Sequence, residues 1–427
     1  MRKRVMLVIC AVAVIAAAGC YQLPPHTPAY KDLGFAMTPT GCAGNPDNVG
    51  NGCFIQDLSA AQQTGVKWAR IDDSWLWVQP NAPSKKDKPQ TACSPTVTQN
   101  CWNWTTIDQR VLAAEARGLK VLLVPTYAPV WAELAGCKSQ RCGPDPKHVA
   151  DYTHFVDESV QRYRPGGVVG AHVTSWEIWN EPNGPGFAPK ADPIEYTNML
   201  KAAYKVIRKS PKESKADVIT GGTAPAANKV KSKRQFKPLT WLMCLYDNSL
   251  CNKKVHNSAK GSFTAVGHHP YSGTAPPLAN FPWNAFRQTA RLHDVMQKNG
   301  DGNKMIWATE IGYSSDTDPS FGVGDAQQAA FIVEAVIDWH KWSFGGPMFF
   351  YDVRDGYNPA ETDSSRPDAE RDKFTTAGIL GYDYTAKTSA YAVYALTKGN
   401  IKSKSGTSTS PTTTVPPVGA NVGDVSS

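Results

Sequence analysis

In two segments of the sequence, a glutamate stands at the end of an apolar run of strand type. Glu181 lies in residues 176–183, Trp-Glu-Ile-Trp-Asn-Glu-Pro-Asn, and Glu310 lies in residues 305–312, Met-Ile-Trp-Ala-Thr-Glu-Ile-Gly. Two carboxyl groups on two strands that share one barrel mouth can serve as a general acid and a nucleophile. Such a pair cleaves a glycosidic bond with retention of configuration. We therefore predict an enzyme that acts on sugars.

The rest of the chain supplies elements that could hold these two residues. Short apolar runs of strand type alternate with stretches of helical period, an order that is typical of βα units and a parallel sheet. Eight units predict a single (β/α)8 barrel of the α/β class, with its active site in the loops after the strands. A doubly wound sheet is the alternative, but its Gly-rich phosphate turn is missing. The predicted strands are 33–37, 68–71, 121–125, 173–179, 218–221, 265–269, 305–309 and 347–351, and the clearest helices are 106–117, 148–163, 192–210 and 326–342.

Both ends of the chain predict segments outside the barrel. Residues 1–19 combine a basic start with a short apolar stretch, which is typical of an export signal. Residues 17–20, Ala-Ala-Gly-Cys, resemble a bacterial lipobox, so we expect a lipid on Cys20, with cleavage after Ala18 by an ordinary signal peptidase as the alternative. We expect a spacer over 20–31, the barrel over 32–402 and a disordered Ser/Thr/Pro-rich tail over 403–427. The protein is then exported, and either anchored to the cell membrane by lipid or secreted.

The ten cysteines favour the lipidated form. Without Cys10 in the signal and Cys20 at the lipid, eight remain as four close pairs. Such spacings close small loops, so we predict four local disulfides formed in an oxidising compartment, holding the loops after the first, second, third and fifth strands at the catalytic face. A zinc cluster is the alternative, but no Cys-x-x-Cys occurs, and other connectivities stay open. The predicted pairs are Cys42–Cys53, Cys93–Cys101, Cys137–Cys142 and Cys244–Cys251.

The charge of the chain is mildly positive. Its formal net charge is +8, and the basic residues are spread along the sequence. A basic face near anionic lipid or acidic polymer is compatible with this charge, but the spread favours an ordinary soluble surface. The densest basic run, residues 229–234, has no nucleic-acid-binding signature around it, so we expect no nucleic-acid partner.

Two motifs resemble those of clan A glycoside hydrolases. Residues 179–182, Trp-Asn-Glu-Pro, resemble the clan's fourth-strand motif, and residues 307–312, Trp-Ala-Thr-Glu-Ile-Gly, resemble its seventh-strand segment. Within the clan the chain most resembles family 39 and family 5-like cellulase-type proteins, over residues 32–397. The resemblance implies that Glu181 is the acid/base and Glu310 the nucleophile of a retaining mechanism.

The resemblance also implies substrate-binding roles near this pair. Asn180 resembles the asparagine that bonds the sugar 2-hydroxyl. Arg70 resembles the second-strand arginine beside the nucleophile, with a buried structural ion pair as the alternative. His269 and Tyr271 resemble residues of the sixth strand that line the site, where the Tyr hydroxyl bonds the nucleophile, and core polar groups are the alternative for both. Glu177 and His268 are expected to be structural.

Loop aromatics are predicted to complete the substrate site. Trp131 resembles an aromatic of the third-strand loop in family 39. A Trp that often follows the clan's eighth strand is missing here, and Tyr351 or Phe350 could replace it. Aromatic rings pack on the apolar faces of sugars, although packing in a loop core is the alternative for each ring. Further candidates for this groove are Trp75, Trp77, Trp102, Trp104 and Trp283.

The leading hypothesis is an O-glycosyl hydrolase that cleaves a β-linked polysaccharide with retention of configuration. Endo action is inferred from the number of loop tryptophans. A catalytically silent carbohydrate-binding barrel at the cell surface and a transglycosylase are the alternatives. We expect no metal or organic cofactor, a polysaccharide or oligosaccharide substrate, a monomer, and membrane contact only through the N-terminal lipid.

Overall fold

The structure is a computed structural model that describes residues 23–37, 51–83, 101–137, 141–188, 190–225, 235–356 and 375–399. Eight parallel strands close into a barrel in sequence order, and the last strand pairs with the first. The predicted (β/α)8 barrel is confirmed, and every predicted strand overlaps an observed one. The strands are β1 (Leu33–Met37), β2 (Trp68–Ser74), β3 (Lys120–Thr126), β4 (Ser175–Ile178), β5 (Asp217–Thr220), β6 (Ala265–His268), β7 (Met305–Ile311) and β8 (Gly345–Phe350).

Helices surround the barrel and return the chain from the end of one strand to the start of the next. The four helices predicted most clearly from the sequence correspond to α3, α4, α5 and α8, with ends that differ by a few residues. The helices are α1 (Asn51–Gln63), α2 (Trp75–Val78), α3 (Thr105–Ala116), α4 (Val149–Tyr163), α5 (Pro193–Lys209), α6 (Pro238–Tyr246), α7 (Ala285–Lys298), α8 (Asp325–Trp339) and α9 (Thr388–Lys398).

Helix α5 shows how local sequence fixes the ends of an element. The Asp192 carboxylate accepts hydrogen bonds from the backbone N–H groups of Ile194 and Glu195, which have no partner within the helix. Pro193 occupies the first helical position, where its missing N–H costs nothing. Pro211 follows directly after the helix and prevents its continuation. Helix α5 therefore begins at Pro193, in the segment that follows β4 and Glu181.

A small apolar cluster fills the inside of the barrel. It takes one residue from each strand except β4, and side chains from so many strands can meet only inside the barrel. The rings of Trp68, Trp307 and Phe349 contact one another there, and full burial of Phe349 contributes up to about 3 kcal/mol. Successive residues of a strand face opposite sides, so Arg70, two residues after Trp68, also points inward. The cluster thus forms an apolar floor beneath the polar residues at the mouth.

Two of the four predicted disulfides are confirmed within the described residues. Cys137 is bonded to Cys142 in the loop after β3, and Cys244 is bonded to Cys251. The other two predicted pairs include Cys42 and Cys93, which lie outside the described residues, as do Cys20, the export signal and the tail.

The predicted position of the Cys244–Cys251 disulfide was wrong. Cys244 lies in the last turn of α6, and Cys251 follows it closely. A helix of a βα unit runs antiparallel to the strands, so the end of α6 lies at the opposite face from the catalytic mouth. This disulfide therefore closes the turn that leads back toward β6. Among the described residues, every helix is too short or too polar to cross a membrane.

Candidate active site

Arg70 of β2 joins three strands at the mouth of the barrel. Its Nε donates to Glu177 Oε2 at 2.6 Å, its Nη1 to Glu310 Oε1 at 3.0 Å and its Nη2 to Asn180 Oδ1 at 2.7 Å. The planar guanidinium suits this arrangement because its donors point outward in a fixed fork. Burial alone would lower the pKa of Arg70, but Glu177 and Glu310 reverse that effect and raise it. Arg70 is thus a permanent cation in the site, and not only a structural ion pair.

Glu177 has the structural role that the sequence predicted. It is fully buried, and both of its carboxylate oxygens have partners, since Oε1 accepts from the backbone N–H of Gly222 at 2.8 Å and Oε2 accepts from Arg70. A buried carboxylate is costly unless it is paired and hydrogen-bonded in this way. Glu177 therefore fixes Arg70 and has no free oxygen for a substrate.

Glu310, one residue before the end of β7, has three polar partners. Its Oε1 accepts from Arg70, its Oε2 accepts from the Tyr271 hydroxyl at 3.1 Å, and His269 Nδ1 lies 3.4 Å from Oε2. Burial raises the pKa of Glu310, while the positive charges of His269 and Arg70 oppose the rise. These contacts favour the charged carboxylate in a site where burial disfavours it. They also hold the carboxylate in one orientation.

Glu181 follows β4 on a sharply bent backbone. The φ angles of Trp179 and Glu181 are 72° and 42°, in the left-handed region that such residues rarely adopt. The backbone N–H of Glu181 donates to Gly222 O at 3.0 Å, which holds the bend against the loop after β5. Glu181 Oε1 accepts from His269 Nδ1 at 3.1 Å. Its side chain is 23% exposed, against 13% for Glu310, so it is the carboxyl that solvent reaches more easily.

His269 connects the two glutamates. One carboxylate oxygen of Glu181, one of Glu310 and one ring nitrogen of His269 all lie within 4.8 Å of one another. Burial would lower the pKa of His269, but Glu310 and Glu181 outweigh burial and raise it. A proton on Nδ1 can then be shared between both carboxylates. The two glutamates are therefore brought together by one fixed donor.

The far side of the His269 ring is polar but has no partner. Neither His269 Nε2 nor Thr309 Oγ1, both buried, has a hydrogen-bond partner in the described part of the chain. A Cβ at Gly222 would lie 2.2 Å from this nitrogen and 2.4 Å from this oxygen. Only glycine therefore fits at position 222. The neighbouring His268 is a core residue, as predicted: it is bonded to Thr223 and to Ala285 O, and burial lowers its pKa to about 4.

Asn180 is oriented by Arg70. Because its Oδ1 accepts from Arg70, its Nδ2 is on the other side of the amide and donates to none of the residues that the structure describes. The amide therefore retains two N–H donors beside the two glutamates. This orientation fits the hydroxyl-binding role implied by the sequence resemblance.

Asp72 and Tyr127 belong to the site and were missed in the sequence. Asp72 is half-buried at the mouth, and its Oδ2 accepts from the Tyr127 hydroxyl at 2.8 Å. Its Oδ1 has no partner among the described residues and can accept a hydroxyl hydrogen. The spacing was a usable signal, because Asp72 lies two residues after Arg70 and must face the same side of the strand.

The predicted aromatic groove is largely wrong. Trp75, Trp102 and Trp104 are buried, with Trp75 and Trp104 packing around Phe155 of α4, so they cannot stack on a sugar. Trp283, by contrast, is 44% exposed in the loop after β6, and its ring lies over Gly273. Trp77 is exposed at 37%.

Trp131 and Tyr351 are both half-buried. The Trp131 ring packs edge-on against Trp75, and its Nε1 donates to Gln79 O. Tyr351 follows β8, within electrostatic reach of Tyr271. Substrate binding by these two residues stays a prediction.

The two carboxylates and the imidazole lie close enough together to be the ligands of a metal ion. A divalent cation there would face the Arg70 guanidinium, which is already bonded to Glu310. Like charges at this distance repel strongly in a buried site. The donor set therefore suits proton transfer better than metal binding.

No family model and no curated protein matches the chain. Its fold is similar to a family 39 glycoside hydrolase from Bacteroides cellulosilyticus, with 20% identity and a TM-score of 0.57, over 86% of this chain and 63% of that one. It is also similar to a monomeric beta-xylosidase from Caulobacter crescentus, with 18% identity and a TM-score of 0.57, over 88% and 70%. A GH5_18 protein from Bifidobacterium longum subsp. infantis matches at 12% identity and a TM-score of 0.53, over 87% and 79%.

The chain therefore spans less than two thirds of the length of the Bacteroides protein. At these identities the likeness is one of fold. The chain shares its (β/α)8 barrel with glycoside hydrolases of family 39 and of GH5_18.

Proposed function

We propose that the chain is a retaining glycoside hydrolase, with Glu181 as acid/base and Glu310 as nucleophile. The observation that carries this proposal is the separation of the two carboxylates, which have oxygens within 4.8 Å of each other. Retaining enzymes hold the pair about 5–5.5 Å apart, whereas inverting enzymes need about 6.5–9.5 Å to admit a water molecule. Both glutamates also lie at the carboxyl ends of strands, where barrels carry their chemistry.

In the first step a Glu310 oxygen attacks the anomeric carbon as the bond to the leaving oxygen breaks. Glu181 gives its proton to that oxygen, so the leaving group departs as an alcohol. The product is a glycosyl ester of Glu310. Arg70 and Tyr271, which bond Glu310 in the free protein, stabilise its charge before attack and hold the ester afterwards.

In the second step Glu181, now ionised, takes a proton from water. The resulting oxygen nucleophile attacks the anomeric carbon and releases Glu310 as a carboxylate. Two inversions give net retention. The greater exposure of Glu181 suits a group that must exchange a leaving group for water.

The neighbouring residues supply binding to the sugar at the bond that is cleaved. The free amide hydrogens of Asn180 can donate to its 2-hydroxyl, and the free oxygen of Asp72 can accept from a further hydroxyl. Such contacts contribute to catalysis when they strengthen as the transition state forms.

For the substrate we propose a β-linked polysaccharide cleaved internally. The exposed Trp283 at the mouth offers an aromatic face for an additional sugar unit, which supports a binding site longer than one residue. Because one similar structure is named a beta-xylosidase, xylan and aryl β-xylosides are the first substrates to test.

The test is to replace each glutamate by alanine and supply azide with a 2,4-dinitrophenyl glycoside. In Glu310→Ala, azide takes the place of the nucleophile and gives a glycosyl azide of inverted configuration. In Glu181→Ala, azide attacks the glycosyl ester and gives a glycosyl azide of retained configuration. We expect loss of about 10²–10⁴-fold for Glu181→Ala on unactivated substrates, with much less loss on the activated glycoside.

Glu158→Ala on the exposed side of α4 is the matched control, with no expected effect. NMR identifies the configuration of each product. Hydrolysis products of inverted configuration from the unsubstituted protein would overturn the retaining mechanism. Glycan binding that survives both substitutions, with no product from any polysaccharide, would instead identify a binding protein.

A further inference from the structure

The face of the barrel opposite the mouth is lined with exposed lysines. This face is formed by the segments that lead from each helix into the next strand, and nearly every one of them places a lysine in solvent. We call these residues the basic face: Lys31, Lys67, Lys120, Lys209, Lys212, Lys215, Lys253, Lys254, Lys260, Lys298, Lys341 and Lys398.

The carboxylates of the same segments neutralise only a small part of the basic face. Asp301 is buried and bonded to Lys304, while Asp338 and Asp32 are half-buried, bonded to Lys341 and His340. Two exposed carboxylates lie at this end of the described chain, Asp247 and Asp294, and Asp294 is one turn before Lys298. The face thus carries a large excess of positive charge that is free to meet a partner.

Within the described residues, the two ends of the barrel differ in their exposed charge. The described loops around the catalytic mouth carry both signs in solvent, with Lys147 and Lys190 against Asp318 and Asp383. In the sequence the positive charge is spread evenly, which favoured an ordinary soluble surface. Folding collects it, because the loops before all eight strands meet at one end of a barrel.

The chain also enters the barrel at the basic face. Tyr30, just before β1, donates its N–H to Leu396 O at 3.0 Å, and the last turn of α9 ends beside it. Leu23 is buried, and a turn in which the Thr27 N–H donates to Pro24 O at 3.3 Å lies between it and Tyr30. Cys20 precedes Leu23 by three residues, which span at most about 11 Å. The lipid predicted on Cys20 would therefore emerge close to the lysines.

We propose that the basic face docks on an anionic phospholipid bilayer, with the catalytic mouth facing away from it. A single acyl anchor binds membranes weakly and reversibly, and a polybasic surface is the kind of second signal that makes attachment stable. Each lysine near an anionic surface multiplies affinity about fivefold. The proposal replaces the expectation of contact through the lipid alone, and it does not depend on the proposed glycosidase activity.

The experiment measures vesicle binding by residues 21–427, which lack both the predicted export signal and Cys20, so that the face acts without lipid. Vesicles of phosphatidylcholine are compared with vesicles that contain 30 mol% phosphatidylglycerol, at 50 and 500 mM NaCl. We expect co-sedimentation only with the anionic vesicles and its loss at high salt, because exposed charges are screened. Changing Lys209, Lys212 and Lys215 together to Gln should lower the partition coefficient about 100-fold.

The control removes three positive charges near the mouth, with Lys147→Gln, Lys190→Gln and Arg287→Gln. We expect its vesicle binding to stay within about threefold of the parent. An equal loss in this control, or equal binding to both vesicles, would overturn the proposal. Tighter binding to polyphosphate than to anionic vesicles would also overturn it, in favour of an acidic polymer. Hydrolysis of a soluble substrate should be unchanged in the lysine variant, so failure here and failure of the proposed activity are distinguishable.

Discussion

Replacing Asp73 by Asn should stabilise the protein at neutral and alkaline pH and have little effect at acidic pH. Asp73 of β2 is fully buried between the barrel and the surrounding helices, and neither carboxylate oxygen has a hydrogen-bond partner among the described residues. The nearby Ser159 hydroxyl favours the charged form, but its own hydrogen bond goes to Phe155 O at 3.0 Å. Burial raises the pKa of Asp73 from 3.8 to about 7. The ionised form is therefore disfavoured in the folded protein.

The size and sign of the effect follow from this shift. Between pH 4 and 7 the folded protein retains a proton on Asp73 that the unfolded chain has lost. The free energy of unfolding therefore falls as pH rises through this range, and it stops falling above pH 7. A rise of about three units corresponds to roughly 4 kcal/mol. Asp73→Asn keeps the shape of the protonated carboxyl without its ionisation. For a domain of this length, 4 kcal/mol corresponds to roughly 5 °C in Tm.

The measurement is Tm by calorimetry or fluorescence from pH 4.5 to 9, for the parent and for Asp73→Asn. We expect little difference at the acidic end and a gain of about 5 °C above pH 8. Asp294→Asn, on the exposed side of α7, is the matched control and should give a flat difference. A pH-independent difference for Asp73→Asn, or one that favours the parent at high pH, would refute the reasoning.

Three further predictions concern the site. Tyr271→Phe removes the hydroxyl bonded to Glu310, and kcat should fall about 10- to 100-fold with Tm unchanged, as hydrogen bonds to charged groups contribute about 1.5–3 kcal/mol. Gly222→Ala should lower kcat/KM more than about 10-fold, because the new methyl group collides with His269 Nε2. Gly186→Ala is the control and should have no effect, because its methyl group meets no atom within 4 Å. Trp283→Ala should raise KM about 10-fold for long oligosaccharides and leave aryl glycosides unaffected; equal effects on both would contradict stacking at a distant sugar.

The strands and the catalytic pair could be predicted because each depends on short stretches of sequence. Apolar runs identify β2 and β7 without reference to the rest of the chain. An Asn-Glu-Pro segment after the fourth strand identifies the position of Glu181. The left-handed backbone at Glu181 could not be predicted, because it is held by a hydrogen bond to Gly222, far along the chain. Sequence spacing alone did not separate Trp75, which packs in the core, from Trp283, which is exposed. That distinction depends on which helix covers each loop.

Because of the contacts of Arg70, catalytic activity can appear only after the barrel has formed as far as β7. Its three partners come from β7 and from β4 with the residues just after it, and the bond to Glu310 spans 240 residues of sequence. A half barrel that contained β1 to β4 could hold Glu177 and Asn180 against Arg70, yet it would have no nucleophile to position. Catalysis cannot therefore emerge gradually as the chain folds. It can begin only when β7 has joined the sheet, so recovery of activity after denaturation would time the closure of the barrel.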